Sequence, residues 1–255
     1  HDAATGNHAQ LHNQLIDLVD IDAANVHAIP CDLKESEIMA FCAEYEKSII
    51  AEGGIDFMLL GIGRRGNIGF NEPGSQFSSQ TRLVLLDNNS KEDARVLFGN
   101  TEQVPVSAIT MGIDTIMQAK EVALVAWGDH KAGVVKAAIE TPFSTACPAS
   151  VLQQHKNAQV VIDLSAASSL TRSNQPWVVT SCEWDDQLIR RAVVWLCQLI
   201  NEPILKLTNK DYNDFGLIEL ITQFGSAYNC NIKVFNDLQH TITGWPGGKP
   251  NADDT

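Results

Sequence analysis

Between Gly53 and Ser75 the chain runs GGIDFMLLGIGRRGNIGFNEPGS, and this stretch constrains the fold more than any other. It opens on an apolar run, Ile55 to Leu60, of the kind found in strands buried on both faces. It then breaks into Gly61, Gly63 and Gly66 and ends on Phe70-Asn71-Glu72-Pro73. Glycines directly after a buried strand let the backbone turn tightly and come close to a ligand. In open parallel sheets ligands gather at the carboxyl ends of strands, so chemistry is expected here. Glu72 beside the rigid Pro73 has a fixed aim.

The flanking chain alternates strand and helix patterns. Apolar runs at Asn25–Ile29, Leu83–Leu86, Val106–Met111, Glu121–Trp127 and Gln159–Asp163 read as strands. Helical spacing predicts helices over His8–Val19, Ser36–Ile50 with Ser36 as its cap, Lys91–Phe98, a short segment after Gly112, His130–Glu140, and one turn at Pro148–His155. This alternation predicts an α/β fold, doubly wound, with a mostly parallel Rossmann-like sheet and helices on both faces. Gly128 after the cleanest strand, followed by a helix start, is an arrangement that favours an anion. Lys131 stands in that first turn, against the helix dipole, and is a candidate phosphate ligand.

Ser, Thr, Asn and Pro concentrate around Ala166–Pro176 and suggest a boundary. The resulting division is an α/β domain over 1–165, a mainly helical extension over 176–243 and a linker over 244–255. In the extension, Asp185–Ile200 and Asp211–Phe224 read as helices and Asn231–Phe235 as a short strand. Trp184 and Trp195 are expected to pack the first of these helices against the main domain or a neighbouring subunit.

The chain has 255 residues and a formal net charge of −13, which argues against nucleic-acid and anionic-membrane partners. No apolar run is long enough to cross a bilayer and no secretory signal pattern is present, so a cytoplasmic protein is expected. The six cysteines show no paired short spacing, which disfavours a zinc ribbon or a disulfide scaffold. His8 and His12 stand four apart, but no third ligand accompanies them, and no metal site is expected.

The loop Leu-Gly-Ile-Gly-x-x-Gly-x-Ile-Gly-Phe-Asn-Glu-Pro-Gly-Ser resembles the signature of glucosamine-6-phosphate deaminases, relatives of the 6-phosphogluconolactonases. The likeness continues through Ser79-Gln80-Thr81-Arg82, Val104-Pro105, Ala108 to Gly112, Gly128 to Ala132 and Leu152 to His155. From Gly6 to Asp163 the chain is similar to the family in general, and the remainder to a long-form bacterial subgroup. The resemblance implies a first strand–loop–helix unit ahead of His1, carrying a phosphate cradle and the aspartate that takes the C2 proton. The chain therefore reads as a piece of a longer protein, cut at both ends, or as a degenerate member.

What the resemblance implies about activity is aldose–ketose isomerisation with hydrolytic deamination, from glucosamine 6-phosphate to fructose 6-phosphate and ammonia, without a cofactor. Glu72 would support ring opening. Gly61, Gly63, Gly66, Lys131 and Arg95 would bind the phosphosugar, and a homo-oligomer is implied. Two positions depart from the family: Asn67 stands where a histidine is usual, and Arg65 where many members have aspartate. Asparagine holds a hydrogen bond but does not titrate near neutrality. A catalytically impaired sugar-phosphate-binding homologue with a regulatory role is the alternative, and a sugar-lactone hydrolase a third reading. Ser75 and Arg82 match positions of the family's allosteric site, but Val84 replaces the expected lysine, so weak or absent activation is expected.

Overall fold

The computed structural model describes residues 7–30, 33–99 and 104–243, which divide into two compact units, 1–170 and 171–255. The first unit begins with helices α1 (Asn7–Gln14) and α2 (Glu35–Ala51), followed by strand β1 (Phe57–Gly61). Strand β2 (Arg82–Leu85), helix α3 (Asn88–Phe98), strand β3 (Ser107–Thr110) and helix α4 (Ile113–Met117) come next. Strand β4 (Glu121–Ala126), helix α5 (Ala132–Glu140) and strand β5 (Ala158–Ile162) complete the unit.

Strands β1, β4 and β5 form a parallel sheet in that order, with Leu60 opposite Leu124 and Leu124 opposite Val160. Strands β2 and β3 pair antiparallel in a separate ribbon, Arg82 opposite Thr110. Side chains alternate across a strand, so Met58, Leu60, Val122 and Leu124 share one face. They pack with Ile113, Ile116, Val135, Ala138 and Val151 into the core. The other face carries Phe57, Leu59 and Val161, which are 54%, 63% and 57% exposed, so among the described residues the core lies on one side of the sheet.

Several local expectations need correction. Asn25–Ile29 is not a strand: Asp22 accepts the Ala24 N–H and winds Ala23–Asn25 into a 3-10 turn, and no described strand pairs with the residues after it. Ser36 does not cap α2, which starts one residue earlier, where the Glu37 carboxylate accepts the Lys34 N–H at 3.1 Å. Helix α3 begins at Asn88 because Asp87 accepts the Ser90 N–H at 2.7 Å. The His8 side chain lies outside the described residues, and His12 Nδ1 stands 3.2 Å from Asp17.

The second unit is helical: α6 (Thr171–Asn174), α7 (Pro176–Val179), α8 (Asp186–Ile200), α9 (Asn209–Asp214), α10 (Ile218–Phe224) and α11 (Ala227–Thr243). Gly216, at φ +77°, divides α9 from α10 where one helix was expected. Asn231–Phe235 lies inside α11 and not in a strand, because Cys230, Asn231 and Val234 recur at helical spacing and are all buried. Ile189, Val193, Leu196, Tyr212, Leu217 and Leu220 form the core. Trp177 stacks on Trp184 at 6.0 Å and meets Trp195 edge-on at 5.6 Å, so these tryptophans pack against one another within their own unit. The linker expected over 244–255 lies outside the described residues.

Candidate functional site

The glycine-rich loop leaves the carboxyl end of β1 and closes on itself. The Gly63 N–H donates to the Asn67 carbonyl at 2.9 Å, and the Gly66 N–H to the Gly63 carbonyl at 3.0 Å. A β-carbon on Gly63 would fall 1.9 Å from Asn67 Oδ1. Gly66 sits at φ +80°, where a β-carbon would be strained and would fall 2.4 Å from Cys147 Sγ. Space around Gly61 is open, so its requirement is not steric.

Asn71 anchors the second half of the loop. Its side chain is completely buried and donates to the carbonyls of Ile68 at 3.0 Å and Met111 at 2.8 Å. Its Oδ1 accepts from the Arg82 guanidinium at 2.9 Å. The neighbouring Phe70 N–H donates to Thr110 Oγ1 at 3.1 Å. Ile68, also fully buried, plugs the loop into the core.

These restraints aim Glu72. Its two carboxylate oxygens accept the Asp87 N–H at 3.0 and 3.1 Å, and Oε1 accepts the Ser90 hydroxyl at 2.5 Å. The carboxylate thus sits at the first turn of α3, where backbone N–H groups and the helix dipole favour negative charge. Asp87 in turn takes the Arg65 guanidinium at 2.9 Å. Burial works against ionisation of Asp87, but the Ser90 N–H, Arg65 and Asn89 outweigh it and hold its carboxyl below the ordinary value. Arg64 reaches Asp93 on α3 at 2.7 Å, so both loop arginines are tied to this helix.

Glu72 lines a groove of about 610 Å³ together with Phe70, Ser75, Ser79, Arg82 and Val84. Arg82 also donates to Ser75 Oγ at 3.3 Å, and burial pushes its guanidinium below the ordinary value. No carboxylate of the described residues forms an ion pair with Arg82, so its charge is open to a bound anion.

Lys131 ends the short turn Asp129–Lys131 that leads into α5, and its ammonium donates to the Ile62 carbonyl at 2.7 Å. Burial lowers its pKa; Asp93 opposes that shift and Arg64 adds to it. Lys131 therefore neighbours the glycine loop from the β4 side, beside the Arg64–Asp93 pair. Asn67 turns its amide to the Gly69 carbonyl at 3.3 Å. Arg95 sits on the surface of α3, more than half exposed, against Glu92 at 3.1 Å.

Glu72, Ser75 and Arg82 thus share one groove; Arg65 reaches it through Asp87; Lys131 and Arg64 form a neighbouring positive cluster. Sequence reasoning did not single out Asp87 or Ser90. An Asp–x–x–Ser at the end of a strand pattern is a helix-capping signal that could have placed them. Among the described residues no group of three or more His, Cys, Asp or Glu side chains converges as a metal site would.

Residues 1–162 match the family described as glucosamine-6-phosphate isomerases/6-phosphogluconolactonase. A glucosamine-6-phosphate deaminase-like protein of Bacteroides thetaiotaomicron is 59% identical over 254 residues, covering all of this chain and 38% of the relative. The glucosamine-6-phosphate deaminase of Shewanella loihica is 48% identical over 170 residues, 65% of this chain and 63% of the relative. The chain therefore spans less than two thirds of the length of these relatives. Among solved structures, a monomeric glucosamine-6-phosphate deaminase superposes with a TM-score of 0.63 at 34% identity, over 66% of this chain and 69% of that one. The groove lies within the matched residues, and the chain belongs to the glucosamine-6-phosphate isomerase/6-phosphogluconolactonase family.

Proposed function

We propose that the α/β unit serves a glucosamine-6-phosphate deaminase, which isomerises the amino-sugar phosphate, releases ammonia and yields fructose 6-phosphate in amino-sugar catabolism. The observation that carries this reading is the Glu72 carboxylate, held by three hydrogen bonds on the wall of a groove that also presents the Arg82 guanidinium. The relatives named as deaminases support the same reading. In it, Glu72 assists ring opening, with Asn67 at the position of the usual acid–base group and Arg65 acting on Glu72 through Asp87. Lys131 supplies positive charge for the phosphate, with Gly61, Gly63 and Gly66 letting the backbone close on the sugar and Arg95 completing the set from α3. The test is ammonia release from glucosamine 6-phosphate by the full-length protein. Glu72→Gln should lower kcat by roughly 10²–10⁴-fold. Binding without ammonia release at any pH would overturn the assignment.

Two observations favour a second reading, a sugar-phosphate-binding homologue of little activity with a regulatory role. Asn67 is turned back onto its own loop, and Arg65 is paired with Asp87. Asn67→His separates the readings. A variant that gains roughly 10²–10⁴-fold from a silent parent supports the binding protein, whereas an already active parent with little gain supports the enzyme.

Ser75 and Arg82, bonded to each other at 3.3 Å, form an incomplete allosteric site in this reading, with Val84 on the groove wall where a lysine is expected. Adding N-acetylglucosamine 6-phosphate should leave the substrate curve unchanged; a sigmoidal-to-hyperbolic shift would contradict this. The protein is proposed to work in the cytoplasm as a homo-oligomer with a phosphosugar and without nucleic acid. Light scattering of the full-length protein checks the assembly, since the 34%-identical relative is monomeric.

A further inference from the structure

The helical unit contains a groove of its own, about 620 Å³ in volume. Its floor is one stripe of α8, Arg190, Val194, Trp195 and Gln198, at the three- and four-residue spacing that puts side chains on one helix face. The opposite stripe, Ile189, Val193 and Leu196, is the buried core, so the groove stripe is the outer face of the helix. An outer face is ordinarily solvated by mixed charges. Here it carries guanidinium, carboxamide and indole, and among the described residues no carboxylate lines the groove.

The charge pattern is unusual for a chain of net charge −13. Asp186, four residues before Arg190, feels the Arg190 charge but takes Lys233 as its ion-pair partner at 2.9 Å. Asp185 caps α8 through the Leu188 N–H at 2.7 Å, and Glu219 accepts the Trp184 indole N–H at 2.7 Å. Asp214 pairs with Lys210, and Asp237 with Lys233. Neither groove arginine has a carboxylate at ion-pair distance among the described residues. Arg191 donates to the carbonyls of Ser173 at 2.9 Å and Asn174 at 2.6 Å, which builds the groove wall. Arg190 has one long contact, 3.4 Å to the Thr241 hydroxyl, and so keeps most of its five donors for a ligand. Trp177, only 8% exposed, lines the same groove with an indole N–H that has no acceptor among the described residues.

We propose that this groove binds a sugar monophosphate. Arg190 takes the phosphate through the forked geometry that favours such anions. Gln187 and Gln198 offer both donors and acceptors to ring hydroxyls. Trp195, half-buried, supplies an apolar surface for the C–H face of the sugar. The site shares no lining residue with the glycine-loop groove and does not depend on the activity assigned there.

The test uses the whole chain carrying Lys131→Ala, which weakens the other phosphate cluster, with binding followed by calorimetry and tryptophan fluorescence. The ligands are glucose 6-phosphate, glucose and inorganic phosphate. Glucose 6-phosphate should bind with a fluorescence change, glucose should not bind, and phosphate should bind more weakly than the ester. Adding Arg190→Gln should weaken glucose 6-phosphate at least roughly tenfold, a loss of about 1.4 kcal/mol. Arg190→Lys keeps the charge without the fork and should fall between the two. Circular dichroism of each variant checks folding; if Arg190→Gln unfolds, the Arg190→Lys comparison decides. Absent binding, binding indifferent to both Arg190 variants, or phosphate as tight as the ester would each overturn the proposal.

Discussion

In the α/β unit the buried polar side chains Asn71, Thr81, Thr110, Thr115 and Ser150 lie in loops, at strand ends or in short helical turns. Most of them bond to backbone or side chains of a different segment: Asn71 to Met111 and Arg82, Thr110 to Phe70, Thr115 to Glu46. In the helical unit, Asn231 is the buried polar side chain among the described residues, and it sits mid-helix with Tyr212 and Leu207 as partners. The first unit thus uses buried hydrogen bonds to fix irregular backbone where regular pairing stops. The second is held by an apolar helix interface with one polar pair inside it. Irregular backbone over-restrained in this way is what a binding loop requires, whereas an apolar interface supplies stability and leaves any site to the outer faces of its helices.

The largest effect that tests this contrast is a core truncation in the helical unit. Leu196 is fully buried on α8, and Leu196→Ala should cost about 2–5 kcal/mol. Urea unfolding followed by tryptophan emission reads it, because Trp177, Trp184 and Trp195 all lie in that unit. Phosphosugar affinity of the glycine-loop groove should not change. A matching loss of affinity would erase the distinction between the units.

Asn71→Ala is the counterpart in the α/β unit. It leaves two carbonyls and a guanidinium short of partners, which should cost about 2–3 kcal/mol. Here affinity should fall as well, by roughly tenfold or more, since the loop that aims Glu72 loses its anchor. Isothermal titration beside urea unfolding separates the two losses. A stability loss with unchanged affinity would mean that Asn71 serves folding alone.

The sequence disclosed these two regions unequally, for physical reasons. Strands β1 and β4 were legible as strands from near-continuous apolar runs bounded by glycine, but the expected burial of β1 on both faces was wrong, since Phe57 and Leu59 are exposed. The glycine loop was legible as a close-packed turn, and Gly63 and Gly66 do face atoms that a β-carbon would strike. The first turn of α3 was not legible: Asp and Ser serve plain turns and helix caps alike, and the partner of Asp87 and Ser90, Glu72, lies 15 and 18 positions away. Asn231–Phe235 was misread as a strand because a short apolar run with β-branched residues fits both states, and burial against Tyr212 decides for helix. The proposed ring-opening role of Asn67 came from resemblance, since nothing in its spacing predicts a side chain turned onto Gly69.

A smaller effect is expected at Tyr212, whose hydroxyl donates to Asn231 Oδ1 at 2.8 Å inside the helical core. Tyr212→Phe should cost about 1–2 kcal/mol, since it leaves a buried acceptor without a donor. The corresponding Asn231→Leu variant should be no worse than additive with Leu196→Ala, if the polar pair is an isolated feature of an apolar interface. Double-variant unfolding checks this, and a strongly non-additive result would show a wider polar network.

The smallest effect is electrostatic, and it separates two helix caps that look alike. Asp87 is the N-cap of α3, whereas Asp211 stands three residues after the N-cap Thr208 of α9 and accepts its N–H in a capping box; both carboxyls are held below the ordinary value. For each, the stabilisation is fully present above the unfolded value of about 3.9 and is lost as pH falls through the lower folded value. Asparagine caps a helix as well as aspartate does, and at position 211 its amide oxygen can still accept the Thr208 N–H, so Asp87→Asn and Asp211→Asn remove the charge while keeping the turn. Both should flatten the acid limb of the stability curve below about pH 4. At neutral pH, Asp87→Asn should cost about 0.2–1 kcal/mol, the range of a solvent-screened pair, because Arg65 is about half exposed. The difference lies in binding. Asp87 joins Arg65 of the glycine loop to the helix turn that holds Glu72, and its backbone N–H remains in place after substitution. Phosphosugar affinity should therefore weaken modestly in Asp87→Asn and stay unchanged in Asp211→Asn, whose partner is Thr208 within the same cap. If titrations show equal affinity in both variants, the Arg65–Asp87 pair braces the helix alone, and the loop receives its geometry from Asn71.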